Sequence, residues 1–458
     1  MSNLGTEGNP LQVAIIGAGP SGFYAAEALI KSDINAQIDM YERLPSPYGL
    51  VRSGVAPDHP KLKQAILLYD KIALSDNYRL FSNVTIGKDV KVDELKGAYH
   101  ALIFANGAET DRKLGITGED LKGSYTATEF VGWYNGHPDY RDREFDLSHE
   151  VAVIIGQGNV AADVSRILSK TVDELKHTDI AQHALDVLAE SKVKEIYVVG
   201  RRGPAQAKFT SKELKEFGDL ADCNPIVDPE ELVLNAASEA ELAEKTNAGS
   251  KKIYDLFQNY SQRENSGKNR KCYFQFLRSP VELHGSDRIE KLTIEKNQLS
   301  GDAFKQSARG TGETYDLDVG ILFRSIGYRG IAIEGVPFHD SWGVFPNEDG
   351  RITENDNVVP QLYTAGWIKR GPSGIIGTNR ACSVATVDAL LTDIEKLDTN
   401  KEKLGAEKII KLIEERSINS LSFDQWKQID TVEVKNGEPK GKPREKFTYV
   451  DEMLSIVK

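Results

Sequence analysis

Two short, glycine-punctuated segments constrain the fold of this chain more than any other feature. Gln12 to Ile16 (QVAII) is an apolar run that reads as a buried strand, and Ser21 to Lys31 (SGFYAAEALIK) is built of helix formers. Between them lies Gly17-Ala18-Gly19-Pro20-Ser21-Gly22, and Ala36 to Tyr41 (AQIDMY) is strand-like again. Together they make one βαβ unit. The pattern returns at Val151 to Ile155 (VAVII), followed by Gly156-Gln157-Gly158-Asn159-Val160-Ala161, a helical stretch to Lys170 and the strand-like Glu195 to Val199 (EIYVV). The two starts are 139 residues apart. Solenoid repeats recur every roughly 20–50 residues, so two nucleotide-binding domains are expected instead.

The spacing carries a mechanism. The first glycine permits the tight turn, the second lets the backbone approach a pyrophosphate, and the third packs helix against strand; the helix N-terminus faces the phosphates. Glu42 ends the second strand, where a carboxylate can accept both hydroxyls of an adenosine ribose, so this ligand should lack a 2′-phosphate. The second constellation has alanine in third place, and Gly200-Arg201-Arg202-Gly203 stands where an NAD-binding acid would be. Two guanidinium forks there suit a 2′-phosphate and select NADP over NAD. Thr171 to Ser191 reads as a helical insertion that lengthens the interval before Arg201. Two sites of opposite preference imply a flavin and a nicotinamide in one chain. FAD would be held in the first and NADP(H) bound reversibly in the second, with hydride passing from nicotinamide C4 to flavin N5 or the reverse.

Composition removes other classes. With 57 Lys and Arg against 69 Asp and Glu, the net charge of −12 disfavours nucleic acid. The three cysteines, Cys223, Cys272 and Cys382, form no CxxC pair. That excludes disulfide-reductase chemistry, zinc ribbons and a cluster bound by this chain, and no metal site is expected. The most apolar stretch, Leu11 to Ile30, is broken by glycines and is not a membrane span. Met1 to Pro10 has no basic leader, so a cytoplasmic location is expected. Between Arg143 and Val151 no FxGxxxH-type segment supports the alternative of a flavin monooxygenase. An NADPH oxidase, or a flavoprotein sensor without turnover, shares the motifs and differs in what NADPH does to the flavin. Asp228 to Lys268 is polar and acidic and reads as a surface excursion without legible chemistry.

Several further segments sharpen the reading. They are Tyr48-Gly49-Leu50-Val51-Arg52, Gly54 to Pro60 (GVAPDHP), Phe130 to Asn135 (FVGWYN), Val199 to Pro204 (VGRRGP) and Gly366 to Gly377 (GWIKRGPSGIIG). With the second glycine motif, they resemble the adrenodoxin reductase family of ferredoxin–NADP reductases. The resemblance implies an α/β chain of glutathione-reductase-like architecture with two Rossmann-like dinucleotide-binding domains. The FAD domain would comprise residues 1–108 and 325–458, with the NADP domain, 109–324, inserted between them. Strands at Ala101 to Ala105 and Ile321 to Ile326 would mark the crossings.

Carried over singly, Gly17, Gly19, Ser21, Gly22, Glu42, Leu50 and Ile86 would hold the adenosine and pyrophosphate half of FAD. Trp367 with Gly374, Ile375 and Ile376 would line its ring. Gln157, Gly158, Asn159, Val160, Arg201, Arg202 and Glu213 match the family's NADP contacts. His59 and Glu213 are the candidate catalytic residues, His59 in a positioning or electrostatic role. Independently of the resemblance, Gly371, Gly374 and Gly377 free the backbone to approach a planar ring. A helix from near Asn379 to Leu397 would turn its N-terminal dipole toward the N1–O2 edge of that ring. The electron acceptor must be a separate molecule, and the resemblance implies a small, acidic iron–sulfur ferredoxin. Arg201 to Gly218 carries a net charge of +3, and Lys208, Lys212 and Lys215 recur near helical spacing as a candidate docking patch.

Overall fold

The computed structural model describes residues 3–264, 266–397 and 402–457. The chain divides into two units. The first takes the chain up to Thr110, Gly327–Pro439 and everything from Arg444; the second takes Asp111–Ile326 and the short return Lys440–Pro443. Nothing in the sequence marks that return.

In the first unit, apolar runs pair as a seven-stranded sheet. Its order is Asn347–Glu348, Arg351–Glu354, Asn357–Thr364, Ala101–Phe104, Leu11–Ile16, Ala36–Glu42 and Tyr78–Ser82. The last five strands are parallel, and the first two form an antiparallel edge. Period-two alternation divides the central strand between two cores. Leu11, Val13 and Ile15 join the cluster containing Phe23, Tyr48 and Trp426, while Ala14 and Ile16 join the one containing Tyr41, Phe104 and Phe345. Burial on both faces explains why the central strands Leu11–Ile16 and Ala101–Phe104 are almost wholly apolar.

The second unit has a six-stranded, all-parallel sheet. Its order is Ser124–Thr126, Ile321–Arg324, Val151–Ile155, Glu195–Val199, Arg270–Gln275 and Cys223–Val227. An antiparallel sheet of Arg278–His284, Lys291–Ser300 and Ser307–Asp318 is added to it. Ala152 and Ile154 face one core; Val153 and Ile155 face another. Two Rossmann-like domains are therefore present, as the paired motifs predict.

Four expectations need correction. The late helix begins at Ile376, not near Asn379, because the Ile375 N–H donates to Thr378 Oγ1 at 3.2 Å and closes its first turn early. It ends at Thr392, and Ile394–Leu397 is a separate turn. Lys208 is not on the helix of Lys212 and Lys215. Thr210 caps that helix by accepting the Glu213 N–H, fixing its start at Ser211. The segment 228–268, of which Asn265 lies outside the described residues, is more than a surface excursion. Its helix Ala248–Ser261 buries Ile253, Phe257 and Tyr260 in the main core.

Candidate dinucleotide-binding sites

The first cradle forms at the carboxyl ends of the parallel strands, where open α/β sheets bind ligands. Its three glycines are required for different reasons. Gly17 sits at φ +107°, and a Cβ there would lie 2.6 Å from Ala105 O. At Gly22 a Cβ would meet Gly17 O at 2.1 Å. Gly19 faces open space, with only Gly49 Cα near it at 3.9 Å, leaving room for a phosphate at the N-terminus of Pro20–Ile30. Glu42 is fixed by two backbone donors, Ala18 N–H at 2.9 Å and Leu44 N–H at 3.1 Å. Burial pushes its carboxyl above the usual range, against the pull of those bonds.

A loop beside the cradle is tied from beneath. The Tyr48 N–H donates to Ala18 O at 2.7 Å. Tyr48, at φ +83°, donates its hydroxyl to Asp70 at 2.5 Å and accepts from Trp426 Nε1 at 3.0 Å. Arg52 is bidentate to Glu433, at 2.8 and 2.5 Å, with both side chains buried. Leu50, between these anchors, is exposed, and Ser21 is buried with its carbonyl accepting from Ser383. Ile86 is buried in the apolar cluster of Tyr41 and Phe81.

At the end of Asn357–Thr364, Gly366 approaches the first motif so closely that a Cβ would lie 2.0 Å from Ser21 Oγ. Trp367 stacks on Tyr328 at 5.4 Å. Trp367 Nε1 and Asn106 Oδ1 are buried without a hydrogen-bond partner among the described residues. Gly374 adopts φ +84°, Gly377 faces open space, and Ile375 is exposed just before Ile376 starts a seventeen-residue helix. His59 is buried and precedes the turn Pro60–Lys63. Open glycine backbone, a stacked ring, unsatisfied polar atoms and a long helix's N-terminus fit a planar heterocycle with a polar edge, which is what a flavin presents.

The second cradle repeats the first with other outer groups. Gly156, at φ +138°, lies against Ser325, where a Cβ would meet the carbonyl oxygen at 2.1 Å; nothing stands within 4 Å of a Cβ at Gly158. Gln157 donates to Gln275 O at 2.8 Å, and Asn159 Oδ1 accepts the Thr210 N–H at 2.7 Å. Val160 is half-buried in the first turn of Asn159–Ser169. Arg201 is exposed and Arg202 half-exposed. Among the described residues, no carboxylate stands within ion-pair distance of either guanidinium. Glu213 is buried and bound to Arg166 at 2.9 Å, and that fully buried arginine also reaches Asp163 at 2.6 Å. Sequence reasoning missed Arg166, although its i,i+3 spacing from Asp163 is a helix-pair signal. Lys208, Lys212 and Lys215 are exposed.

Comparison with known proteins bears on this pair of cradles. Residues 11–198 match the family model described as pyridine nucleotide-disulphide oxidoreductase. The chain is 43% identical to the NADPH-ferredoxin reductase FprA of Mycobacterium leprae, covering 97% of this chain and 98% of that one. It belongs to the adrenodoxin reductase family of ferredoxin–NADP reductases. The mitochondrial NADPH:adrenodoxin oxidoreductase of Arabidopsis thaliana, another relative of this reductase chain, is 40% identical over 97% of it and 95% of the plant protein. Mycobacterium tuberculosis FprA, solved in complex with NADPH, is 41% identical, with a TM-score of 0.92 and coverage of 98% of this reductase chain and 99% of the FprA chain. Among its described residues, no helix is long and apolar enough to cross a membrane.

Proposed function

We propose that this chain is an FAD-dependent NADPH:ferredoxin oxidoreductase. The first unit would hold FAD and the second would bind NADP(H). What carries the reading is a difference between two otherwise similar cradles, in a chain similar along its length to proteins named for this activity. Glu42 follows one, and Arg201–Arg202, with no carboxylate at ion-pair distance among the described residues, follows the other. FAD supplies the conversion of a two-electron hydride into single electrons.

The chain's own residues bind and orient. Glu42, with its orientation fixed by two backbone donors, would accept the adenosine ribose hydroxyls, and the Pro20–Ile30 N-terminus would hold the pyrophosphate. The helix from Ile376 presents a positive dipole end that favours negative charge on a bound ring. Gln157 to Val160 would take the NADPH pyrophosphate, and Arg201 with Arg202 would take its 2′-phosphate. Glu213, oriented by Arg166, would contact the same cofactor. His59 serves as a positioning and electrostatic group.

The partner is an acidic iron–sulfur ferredoxin that docks near Lys208, Lys212 and Lys215, all exposed. A cytoplasmic location agrees with three unpaired thiols, Cys223, Cys272 and Cys382. Anaerobic NADPH titration of the purified protein tests the assignment, followed by cytochrome c reduction with and without added ferredoxin. The expected result is a bleached flavin and ferredoxin-dependent turnover. Bleaching with peroxide alone would identify an oxidase or monooxygenase, and an unbleached flavin a sensor.

A further inference from the structure

The antiparallel sheet of the second unit lies outside the βαβ plan, yet its middle strand touches the segment that carries the two arginines. The carbonyls of that segment are each taken by a donor. Gly200 O accepts the Arg278 N–H at 3.0 Å, and Arg202 O accepts the Leu277 N–H at 3.0 Å. Arg201 O accepts from the side chain of Asn297, at 3.0 Å. All three carbonyls are engaged by the protein, while among the described residues neither guanidinium has a carboxylate at ion-pair distance.

Asn297 is placed for this by an irregularity. The pairing of Lys291–Ser300 with Ser307–Asp318 shifts register between Glu295 and Asn297. Such a bulge re-aims a side chain. Asn297 is buried; its amide also donates to Ser279 Oγ at 2.7 Å, and its N–H donates to Leu277 O at 2.8 Å. Leu277 itself takes a left-handed φ of +53°, uncommon for a residue with a branched side chain. The other end of the segment is held as well. Gln206 donates to Ser238 Oγ at 3.1 Å and to the buried Glu241 at 2.8 Å.

We infer that the antiparallel sheet is the support of the 2′-phosphate site and that Asn297 is a specificity-determining positioning residue. It touches no cofactor; it fixes the backbone from which Arg201 and Arg202 project. This rests on the NADP reading of those arginines. The pair must be aimed at one phosphate, and aiming fails when the carbonyl between them is freed to turn.

The test separates phosphate recognition from stability. Binding of 2′,5′-ADP and of ADP to the flavin-loaded protein is measured by calorimetry for the native chain, Asn297→Leu, which removes the donor at similar volume, and Asn297→Ser, which keeps one. In the native chain 2′,5′-ADP should bind at least about tenfold tighter than ADP, the scale of a charge-assisted contact. In Asn297→Leu that preference should fall by about fivefold, the worth of one hydrogen bond, with ADP affinity unchanged. Asn297→Ser should retain part of it. An unchanged preference, or equal loss of both affinities, overturns the role of Asn297. A native chain with no preference overturns the NADP reading itself. If Asn297→Leu does not fold, Asn297→Ser against the native chain decides.

Discussion

Single residues in this chain do their work through what fixes them. The placement of Glu42 and the glycines was legible because it depends on local spacing: a turn, a helix start and a strand end lie within one βαβ unit. Arg166 and Asn297 were not, because each acts on a group far along the chain, Glu213 in one case and the Arg201 carbonyl in the other. Asp111 is a further residue that only the structure reveals. Burial raises its carboxyl to about 6, although the charge of Arg324 opposes the shift. A raised carboxyl binds protons in the folded state that the unfolded chain has released. Its contribution therefore favours the fold at low pH and is lost as pH climbs from about 4 to 6. Above that window the charged form costs on the order of 3 kcal/mol. Asp111→Asn is expected to gain about that much at pH 8 and almost nothing at pH 4, read from urea unfolding at the two values. An equal effect at both would remove the charge from the explanation.

Among the elements, the helix Phe423–Gly437 has the longest reach. It brings Trp426 to Tyr48 and Glu433 to Arg52, securing the Tyr48–Arg52 loop beside the first cradle. Arg52 also lies over the Trp426 ring at 4.9 Å. Removing one member of a buried ion pair leaves an uncompensated charge, typically at a cost of about 3–5 kcal/mol. Glu433→Ala is expected to lower the urea midpoint accordingly and to release flavin, followed by the rise of free-flavin fluorescence. Retention of FAD at native affinity would show that the loop does not depend on this helix. The loop's motif was readable in the sequence, but its anchor was not, since a pairing across 381 residues leaves no local periodicity. A different limit, a local one, explains the late helix. Its alanine-rich body was legible, and its start was not, because one Thr378 hydroxyl sets it.

Over the whole molecule, charge distribution matters more than the total. A net −12 coexists with exposed Lys208, Lys212 and Lys215. Reversing Lys212 and Lys215 to glutamate is expected to slow ferredoxin reduction by about tenfold at low salt and to flatten its salt dependence, since steering acts on encounter. Stopped-flow rates at two ionic strengths check this, and an unchanged salt slope would place docking elsewhere. The two-domain plan was legible from two glycine motifs alone, whereas the return of Lys440–Pro443 to the second unit was not. Lys442 is buried there and donates to Ile180 O at 2.9 Å, a contact no pattern announces. The discontinuous first unit also bears on synthesis. A ribosome delivers Leu11–Ile16 early, but Ala101–Phe104 must wait for Asn357–Thr364, and Arg52 for Glu433. Both parallel-sheet neighbours of Val151–Ile155, by contrast, have emerged by Arg324. The inserted unit can thus assemble its sheet while translation continues, and the sheet of the first cradle is completed only after it.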